Sequence, residues 1–278
     1  MFIFKTIDAT KAYLAPFINK NSQIGFVPTM GALHQGHIEL IKKARAENQI
    51  VVCSIFVNPI QFNNPEDYTK YPITIEADLK KLFDAGCDVV FNPDAKEMYP
   101  SPDLTQFQFG GLELVMEGAF RPGHFNGVAV VVKKLLEIVQ PQKAYFGEKD
   151  YQQLLIVKQL VKQTGLPVDI VPCQIVREAD GLAMSSRNMR LNDQQRSVAP
   201  IIFQTLNKAA SFKESKSILE IKQWVKDQIE EHQMELEYFE VADANTLQPT
   251  EKILPGNTYR AFIAVYHGPV RLIDNIPF

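Results

Sequence analysis

The most restrictive feature of the sequence is a strand–turn–helix–strand pattern near the amino terminus. An apolar run at 24–27 predicts a buried strand, and the turn that follows it contains Gly31 and Gly36. A helical pattern then leads to a continuous apolar run at 50–57, which is typical of a strand covered on both faces. Because two parallel strands joined by a helix form a right-handed βαβ unit, the pattern predicts a parallel sheet.

The turn of this unit has residues suited to binding phosphate. His34, Gly36 and His37 stand where the strand ends and the helix begins. Unpaired N–H groups and the helix dipole favour an anion there, and glycine lets a ligand approach the backbone. The two imidazoles add further donors. The spacing resembles the HxGH signature of the nucleotidyltransferase superfamily, although an ordinary turn with two exposed histidines would show the same four residues.

Two amide side chains follow the second predicted strand. Asn58 and Gln61 come directly after the run at 50–57, and ligands of open α/β sheets bind beyond the carboxyl ends of the strands. We therefore expect these amides to hydrogen-bond a small polar substrate. The alternative, that they only form a turn, explains Gln61 poorly.

A short predicted strand at 144–146 ends in the same way, with a glycine and a cation before a helix. Lys149 either reaches the phosphates held by the first turn or belongs to a charged surface turn. In the helix that follows, either Gln152 or Gln153 can face the same crevice as Gln61.

Two further polar segments allow both a functional and a structural interpretation. Arg121 and His124 either face a phosphate or carboxylate, or they form a turn before a helix. Ser185, Ser186 and Arg187 predict a mobile phosphate loop in which the arginine stabilises charge on a triphosphate. Taken alone, the second segment is equally typical of a polar helix start.

Composition narrows the class of protein. The 278 residues carry a net charge of −3, so no overall field attracts nucleic acid or an anionic membrane. No apolar stretch approaches the roughly 18 residues that span a bilayer, and the first residues do not have the pattern of a signal peptide. Cys53, Cys87 and Cys173 lie in or beside apolar runs without CxxC spacing, which predicts buried reduced thiols. These features predict a cytoplasmic protein without membrane or nucleic-acid partners.

The pattern changes near residue 190. Helical patterns at 192–212 and 216–232 precede three strand-like runs, at 236–241, 259–266 and 270–273. Residues 267–269 predict a hairpin turn between the last two runs. The sequence therefore predicts an α/β fold with two domains. A Rossmann-like parallel sheet with helices on both faces occupies residues 1–178, and a smaller C-terminal α+β domain occupies residues 179–278.

In combination these segments resemble the pantoate–β-alanine ligase family, the pantothenate synthetases. The resemblance rests on five segments that occur in the family's order: 27–37, 54–62, 121–125, 146–153 and 180–188. It covers about residues 24–190, and the remainder matches in length and layout. Two departures are minor, since Gln35 stands where the family usually has Glu and Met184 where it often has Leu.

The resemblance implies an ATP-dependent ligase of coenzyme A biosynthesis that joins (R)-pantoate to β-alanine and releases AMP and pyrophosphate. The pantoate carboxylate attacks the α-phosphate, and the amine of β-alanine then displaces AMP from the pantoyl adenylate. A carboxylate is ionised at neutral pH, so the first step needs positioning and charge neutralisation rather than a general base. The resemblance also implies a homodimer, a C-terminal lid and Mg²⁺ that arrives with ATP.

The implied site residues fall into three groups. His37 is the catalytic residue, which we interpret as a donor to the phosphates in the transition state. Gln61 and Gln153 bind pantoate, with Asn58 a weaker candidate. The implied ATP-binding residues are Met30, Gly31, Ala32, Leu33, His34, Gln35, Gly36, His37, Gly147, Glu148, Lys149, Asp150, Val176, Met184, Ser185, Ser186 and Arg187.

Two alternatives remain open at this point. Another nucleotidyltransferase would share HxGH but would use no amine acceptor, and a non-catalytic module would bind ATP without turnover. An aminoacyl-tRNA synthetase would need an RNA-binding surface, for which the charge gives no evidence. The sequence assigns neither a base for the β-alanine amine nor the roles of Arg121 and His124.

Overall fold

The computed structural model describes residues 1–20, 22–63 and 68–278. The chain divides into two compact units, each built from several segments. The first contains Met1–Glu113, Glu117–Glu148 and Gln153–Gln174, and the second contains Leu114–Met116, Lys149–Gln152 and Ile175–Phe278.

The first unit is organised around a six-stranded parallel sheet. Its strands are β1 Phe2–Phe4, β2 Ile24–Thr29, β3 Ile50–Ile55, β4 Val89–Phe91, β5 Lys143–Gly147 and β6 Asp169–Cys173. They are arranged in the order β1-β4-β3-β2-β5-β6. The pairing of β2 with β3 runs without a break from Ile24 opposite Ile50 to Thr29 opposite Ile55, as the predicted βαβ unit requires.

Both faces of this sheet are covered. On one face, Val27 and Cys53 pack with Ile41, Ala44 and Leu82, which come from two helices. Alternate residues of a strand point to opposite faces, and Phe26 and Val52 on the other face are also fully buried. This arrangement confirms the predicted parallel sheet with helices on both faces.

The helices that begin in this part of the chain are α1 Ile7–Asn19, α2 Gln35–Glu47, α3 Ile75–Asp84, α4 Ala95–Met98, α5 Glu117–Phe120, α6 His124–Val139 and α7 Tyr151–Thr164. Helix α1 continues through Pro16, although proline usually interrupts a helix. The segment at 93–123 contains only the short helices α4 and α5 as regular structure. No helix in the described ranges combines the length and the hydropathy needed to cross a lipid bilayer.

The strand order determines which loops meet at one edge of the sheet. The chain moves from β2 outward through β3 in one direction, and β5 continues on the other side of β2. The neighbouring strands β2 and β5 therefore flank the topological switch point, where open α/β sheets bind ligands beyond the carboxyl ends of the strands. The first turn residue after β2 is Met30, and the first after β5 is Glu148.

The second unit contains an antiparallel sheet with helices packed against it. Strands β7 Glu235–Asp243, β8 Tyr259–His267 and β9 Val270–Pro277 follow α8 Asp193–Val198, α9 Ile201–Ser211 and α10 Ile218–Glu231. The predicted hairpin turn is confirmed, because His267 pairs with Val270. The single helix predicted at 192–212 is instead two, α8 and α9. Pro200 separates them, since proline has no N–H to donate to a preceding turn.

All three cysteine thiols are buried, and burial raises their pKa values: that of Cys87 to about 12, that of Cys173 to about 11, and that of Cys53 in the same direction. Thiolate is the reactive form, so we expect no reaction with an aromatic disulfide reagent at pH 8 in the folded protein. In denaturant, three thiols per chain should react. Rapid modification of the native protein would contradict the burial of these side chains.

Candidate active site

The turn after β2 contains two consecutive residues in the left-handed region of backbone conformation. Gly31 has φ 83° and Ala32 has φ 49°. Glycine adopts this conformation freely, whereas a residue with a Cβ pays about 1–2 kcal/mol. A Cβ at Gly31 would also lie 3.1 Å from a methyl group of Ile55 and 3.2 Å from Oδ2 of Asp78. The conformation of this turn therefore depends on contacts from outside it.

Asp78, near the start of α3, supplies those contacts. Its side chain is only 1% exposed. Oδ2 accepts a hydrogen bond from the N–H of Ala32 at 2.9 Å, and Oδ1 accepts one from the N–H of Leu33 at 2.8 Å. The hydroxyl of Thr74 donates to Oδ2 at 3.1 Å. The carboxylate thus holds the turn by two adjacent backbone groups and is itself oriented by its own helix.

The backbone N–H groups of residues 31–33 are all paired within the protein. The N–H of Gly31 donates to Oγ1 of Thr29 at 3.2 Å, and the next two N–H groups donate to Asp78. Each of these three groups therefore has a partner within the protein. The phosphate contacts predicted at the start of the following helix stay predictions. Contacts of ATP with other atoms of Ala32 and Leu33 stay predictions.

The two histidines of the turn contact each other and share one pattern of hydrogen bonds. Nδ1 of His34 accepts from the N–H of Gly36 at 3.1 Å, and Nδ1 of His37 accepts from the N–H of His34 at 3.3 Å. Their ring centroids are 4.0 Å apart. A neutral imidazole that accepts through Nδ1 carries its proton on Nε2. Each ring is thus fixed as an Nε2–H donor.

The amides after β3 have a defined orientation. Asn58 Nδ2 donates to the backbone oxygen of Gly127 at 3.1 Å and to Oε1 of Gln61 at 3.0 Å. Asn58 Oδ1 accepts from the hydroxyl of Tyr99 at 2.8 Å. A carbonyl oxygen can only accept, so the amide nitrogen of Asn58 must face the backbone oxygen of Gly127. Gln61 must then turn its amide oxygen toward the nitrogen of Asn58.

This orientation separates the roles of the two amides. Gln61 directs its NH₂ group away from Asn58, and Nε2 lies 3.1 Å from Sδ of Met30. Asn58 is 1% exposed and both ends of its amide are used within the protein. These contacts orient Gln61, and the weaker candidacy of Asn58 for binding pantoate stays a prediction.

The predicted residues after β5 are divided between the two units. Gly147 and Glu148 belong to the first, whereas Lys149 and Asp150 belong to the second. The ammonium of Lys149 lies 3.7 Å from Oδ1 of Asp150. The backbone oxygen of Lys149 accepts a hydrogen bond from Asn275 at 2.9 Å, which ties this turn to β9.

The first turn of α7 distinguishes its two glutamines. Gln152 is buried, and its Nε2 donates to the backbone oxygen of Val115 at 2.8 Å within the second unit. Gln153 is half-buried and belongs to the first unit, as Gln61 does. The sequence leaves Gln152 and Gln153 as alternatives for facing the crevice near Gln61. In the structure, Gln152 makes a structural contact instead.

A small hairpin in the second unit brings together two predicted ATP-binding segments. The N–H of Met184 donates to the backbone oxygen of Val176 at 3.0 Å. Ser185 then begins a short 3-10 helix, Ser186–Arg190, and its hydroxyl accepts from the N–H of Arg187 at 3.2 Å. Val176 and the Ser-Ser-Arg segment are thus adjacent, although eight or more residues separate them in the sequence.

An ion pair fixes this hairpin to the sheet of the second unit. The guanidinium of Arg177 donates to both carboxylate oxygens of Asp274, at 2.6 and 3.0 Å, and lies 3.7 Å from the ring centre of Phe203. These contacts hold the start of the hairpin against β9.

Comparison with known proteins identifies the family. The model of the family described as pantoate-beta-alanine ligase matches residues 2–277. The chain belongs to the pantoate–β-alanine ligase family. The pantothenate synthetases of Bacteroides thetaiotaomicron and Cytophaga hutchinsonii are 47% and 46% identical to it, over 100% and 99% of this chain and 99% of each relative.

Solved structures agree with this assignment. The pantothenate synthetase of Thermus thermophilus has a TM-score of 0.91 at 42% identity and covers 99% of both chains. The pantoate-β-alanine ligase of Francisella tularensis, solved in complex with β-γ ATP and β-alanine, has a TM-score of 0.84 at 40% identity. It covers 100% of this chain and 97% of that one. The predicted family, fold and enzyme class, a ligase of pantoate and β-alanine, are confirmed.

Proposed function

We propose that the chain makes pantothenate in two steps through an enzyme-bound pantoyl adenylate, with ATP as the substrate that is consumed. The observation that carries the assignment of roles is the His34–His37 pair. Both rings follow the central strand at the switch point of the sheet, and both are held as Nε2–H donors by backbone N–H groups. Donors fixed in this way require no reorganisation when charge develops on a phosphate.

In the first step, the pantoate carboxylate attacks the α-phosphate and the bond to pyrophosphate breaks. Negative charge moves onto the departing phosphate oxygens, and the Nε2–H groups of His34 and His37 donate to them. Because Nδ1 of each ring accepts a backbone N–H, both histidines act as neutral Nε2–H donors. In the second step, the neutral amine of β-alanine attacks the acyl carbon, and AMP leaves with the bonding electrons. The attacking nitrogen releases one proton to solvent as the amide forms.

Gln61 is the pantoate-binding group that the hydrogen bonds of the site support best. Its amide is turned so that NH₂ is the outward donor, and the pantoate hydroxyl and carboxylate both offer oxygen acceptors. In the opposite orientation Gln61 would present its amide oxygen, which could not donate to a carboxylate. We propose that this fixed donor selects a hydroxy acid.

Several features expected from the family resemblance stay predictions. They are Gln153 as the second pantoate ligand, Mg²⁺ carried by ATP with water completing its coordination, the homodimer, the lid function of residues 179–278, and the cytoplasmic location. The ATP contacts of Met30, Gln35, Gly147–Asp150, Val176 and 184–187 are predictions as well.

We expect Gln153→Ala to raise the KM for pantoate by about ten- to hundredfold, because hydrogen bonds to a charged ligand contribute about 1.5–3 kcal/mol. The KM for ATP should change less than threefold. Gln152→Ala is the comparison, since that amide makes a structural contact with Val115 and should instead lower stability. Equal increases in both KM values for Gln153→Ala would remove it from the pantoate site.

The proposed function is tested by measuring pyrophosphate release with ATP and Mg²⁺ while pantoate and β-alanine are added separately and together. Sustained release, with AMP and pantothenate in equal amounts, should need both acids. Pantoate alone should give a single-turnover burst. No release with any combination, despite demonstrated ATP binding, would contradict the proposed activity.

A further inference from the structure

The Arg-Pro-Gly-His-Phe segment at 121–125 has no role in the two chemical steps, yet its histidine lies inside the first unit. His124 is the first residue of α6 and is 6% exposed. Nδ1 of His124 lies 2.8 Å from the backbone oxygen of Gln61, and Nε2 lies 3.2 Å from Nη1 of Arg121. Arg121 in turn lies 3.8 Å from a carboxylate oxygen of Glu117.

The chemistry of these partners fixes the state of the ring. A carbonyl oxygen can only accept, so Nδ1 of His124 must carry a proton. A guanidinium can only donate, so Nε2 must be the acceptor. His124 is therefore a neutral Nδ1–H imidazole, opposite in tautomer to His34 and His37. A solvent-exposed turn would not define the ring in this way.

A second contact shows that the first turn of α6 holds the residues before Gln61 as well. A Cβ on Gly127 would lie 2.4 Å from the backbone oxygen of Ile60 and 2.7 Å from Cα of Gln61, so only glycine allows this approach. The backbone oxygen of Gly127 also accepts from Asn58. The backbone and the side chain of Gln61 are thus both fixed from α6, the backbone through His124 and the amide through Gly127 and Asn58.

We propose that His124 is a positioning residue for pantoate recognition, which acts by holding the backbone of Gln61 so that its NH₂ donor meets the substrate. This inference rests on the role proposed above for Gln61. Arg121 keeps the ring in the required tautomer, and Glu117 balances the charge of the arginine. The segment thereby serves specificity without touching the substrate.

Two polar variants of similar size separate this role from a general contribution to folding. In His124→Asn, the amide nitrogen takes the place of Nδ1 and can still donate to Gln61. In His124→Gln, the amide lies near the former Nε2 and the bond to Gln61 is lost. We expect H124Q to raise the KM for pantoate about five- to tenfold, the size of one net hydrogen bond, and H124N to stay within twofold of the parent. The KM values for ATP and β-alanine should stay within twofold in both.

The control is a second histidine whose Nδ1 also contacts a backbone oxygen, but in a different part of the chain. Nδ1 of His232, at the end of α10 in the second unit, lies 2.8 Å from the backbone oxygen of Gln228. We expect His232→Gln to leave the KM for pantoate unchanged. If it raised this KM as much as H124Q does, the effect would not be specific to Gln61 and the inference would be wrong.

A double-mutant cycle with Gln61→Ala provides the decisive measurement. If His124 acts through Gln61, H124Q should have no further effect on the KM for pantoate once Gln61 has been truncated. Additive effects would overturn the inference, as would equal KM values for H124N and H124Q. If Gln61→Ala alone left the KM for pantoate unchanged, the role proposed for Gln61 would be wrong. If Gln61→Ala raised it and H124Q did not, only the inference about His124 would be wrong.

Discussion

His37→Ala is expected to lower kcat by about two to three orders of magnitude, the loss measured when one pre-organised transition-state donor is removed. The structural reason is the fixed Nε2–H of His37, whose Nδ1 is occupied by the N–H of His34. The KM for pantoate should change little, because the histidine acts on charge that develops in the phosphates. Isotope exchange between ATP and pyrophosphate, with pantoate as the only acid, measures this step directly.

Two further substitutions at His37 distinguish the role of Nδ1 from that of Nε2. His37→Asn can accept the N–H of His34 but has no donor at the position of Nε2, so we expect it to be as impaired as alanine. His37→Gln places an amide donor near that position, and we expect it to recover about tenfold of the lost rate. If alanine reduced the rate less than threefold in a folded protein, His37 would have no part in the mechanism.

The parts of the fold that could be predicted are those governed by local pattern. The apolar runs that become β2 and β3 and the glycine-bearing turn between β2 and α2 define a βαβ unit, and ligands bind at one edge of such a sheet. The histidines of that turn are near each other in the sequence, so their proximity in space also follows. The rule that proline interrupts a helix predicts the break at Pro200 but fails at Pro16, which lies within α1.

The contacts that hold the site could not be predicted, since they join residues far apart in the sequence. Asp78 is 46 positions from Ala32, and His124 is 63 positions from Gln61. The one local signal for Asp78 is its place one turn before the buried Leu82, on the inner face of an amphipathic helix. A carboxylate on an apolar face needs a partner, but the sequence does not show which one.

Asp78→Asn is expected to lower both stability and turnover. An amide has one acceptor oxygen, so its NH₂ group must face the N–H of either Ala32 or Leu33 and leave it without a partner. A buried unsatisfied donor costs about 1–3 kcal/mol of unfolding free energy. Either loss weakens the contacts that hold Ala32 in its left-handed conformation, and the turn should relax.

The relaxed turn should reduce kcat by about ten- to hundredfold, since a misplacement of about 1 Å at a catalytic group has an effect of that size. Asp88→Asn is the matched control. Asp88 also accepts a backbone N–H, that of Val51 at 2.8 Å, but it lies at the amino ends of the strands. The Asp88→Asn variant should be less stable than the parent and keep its kcat. Urea unfolding gives the first quantity and ATP–pyrophosphate exchange the second. If both variants lost kcat in proportion to their loss of stability, the role of Asp78 would be limited to supporting the fold. A loss of exchange confined to Asp78→Asn would mean that the carboxylate acts through the turn that carries His34 and His37.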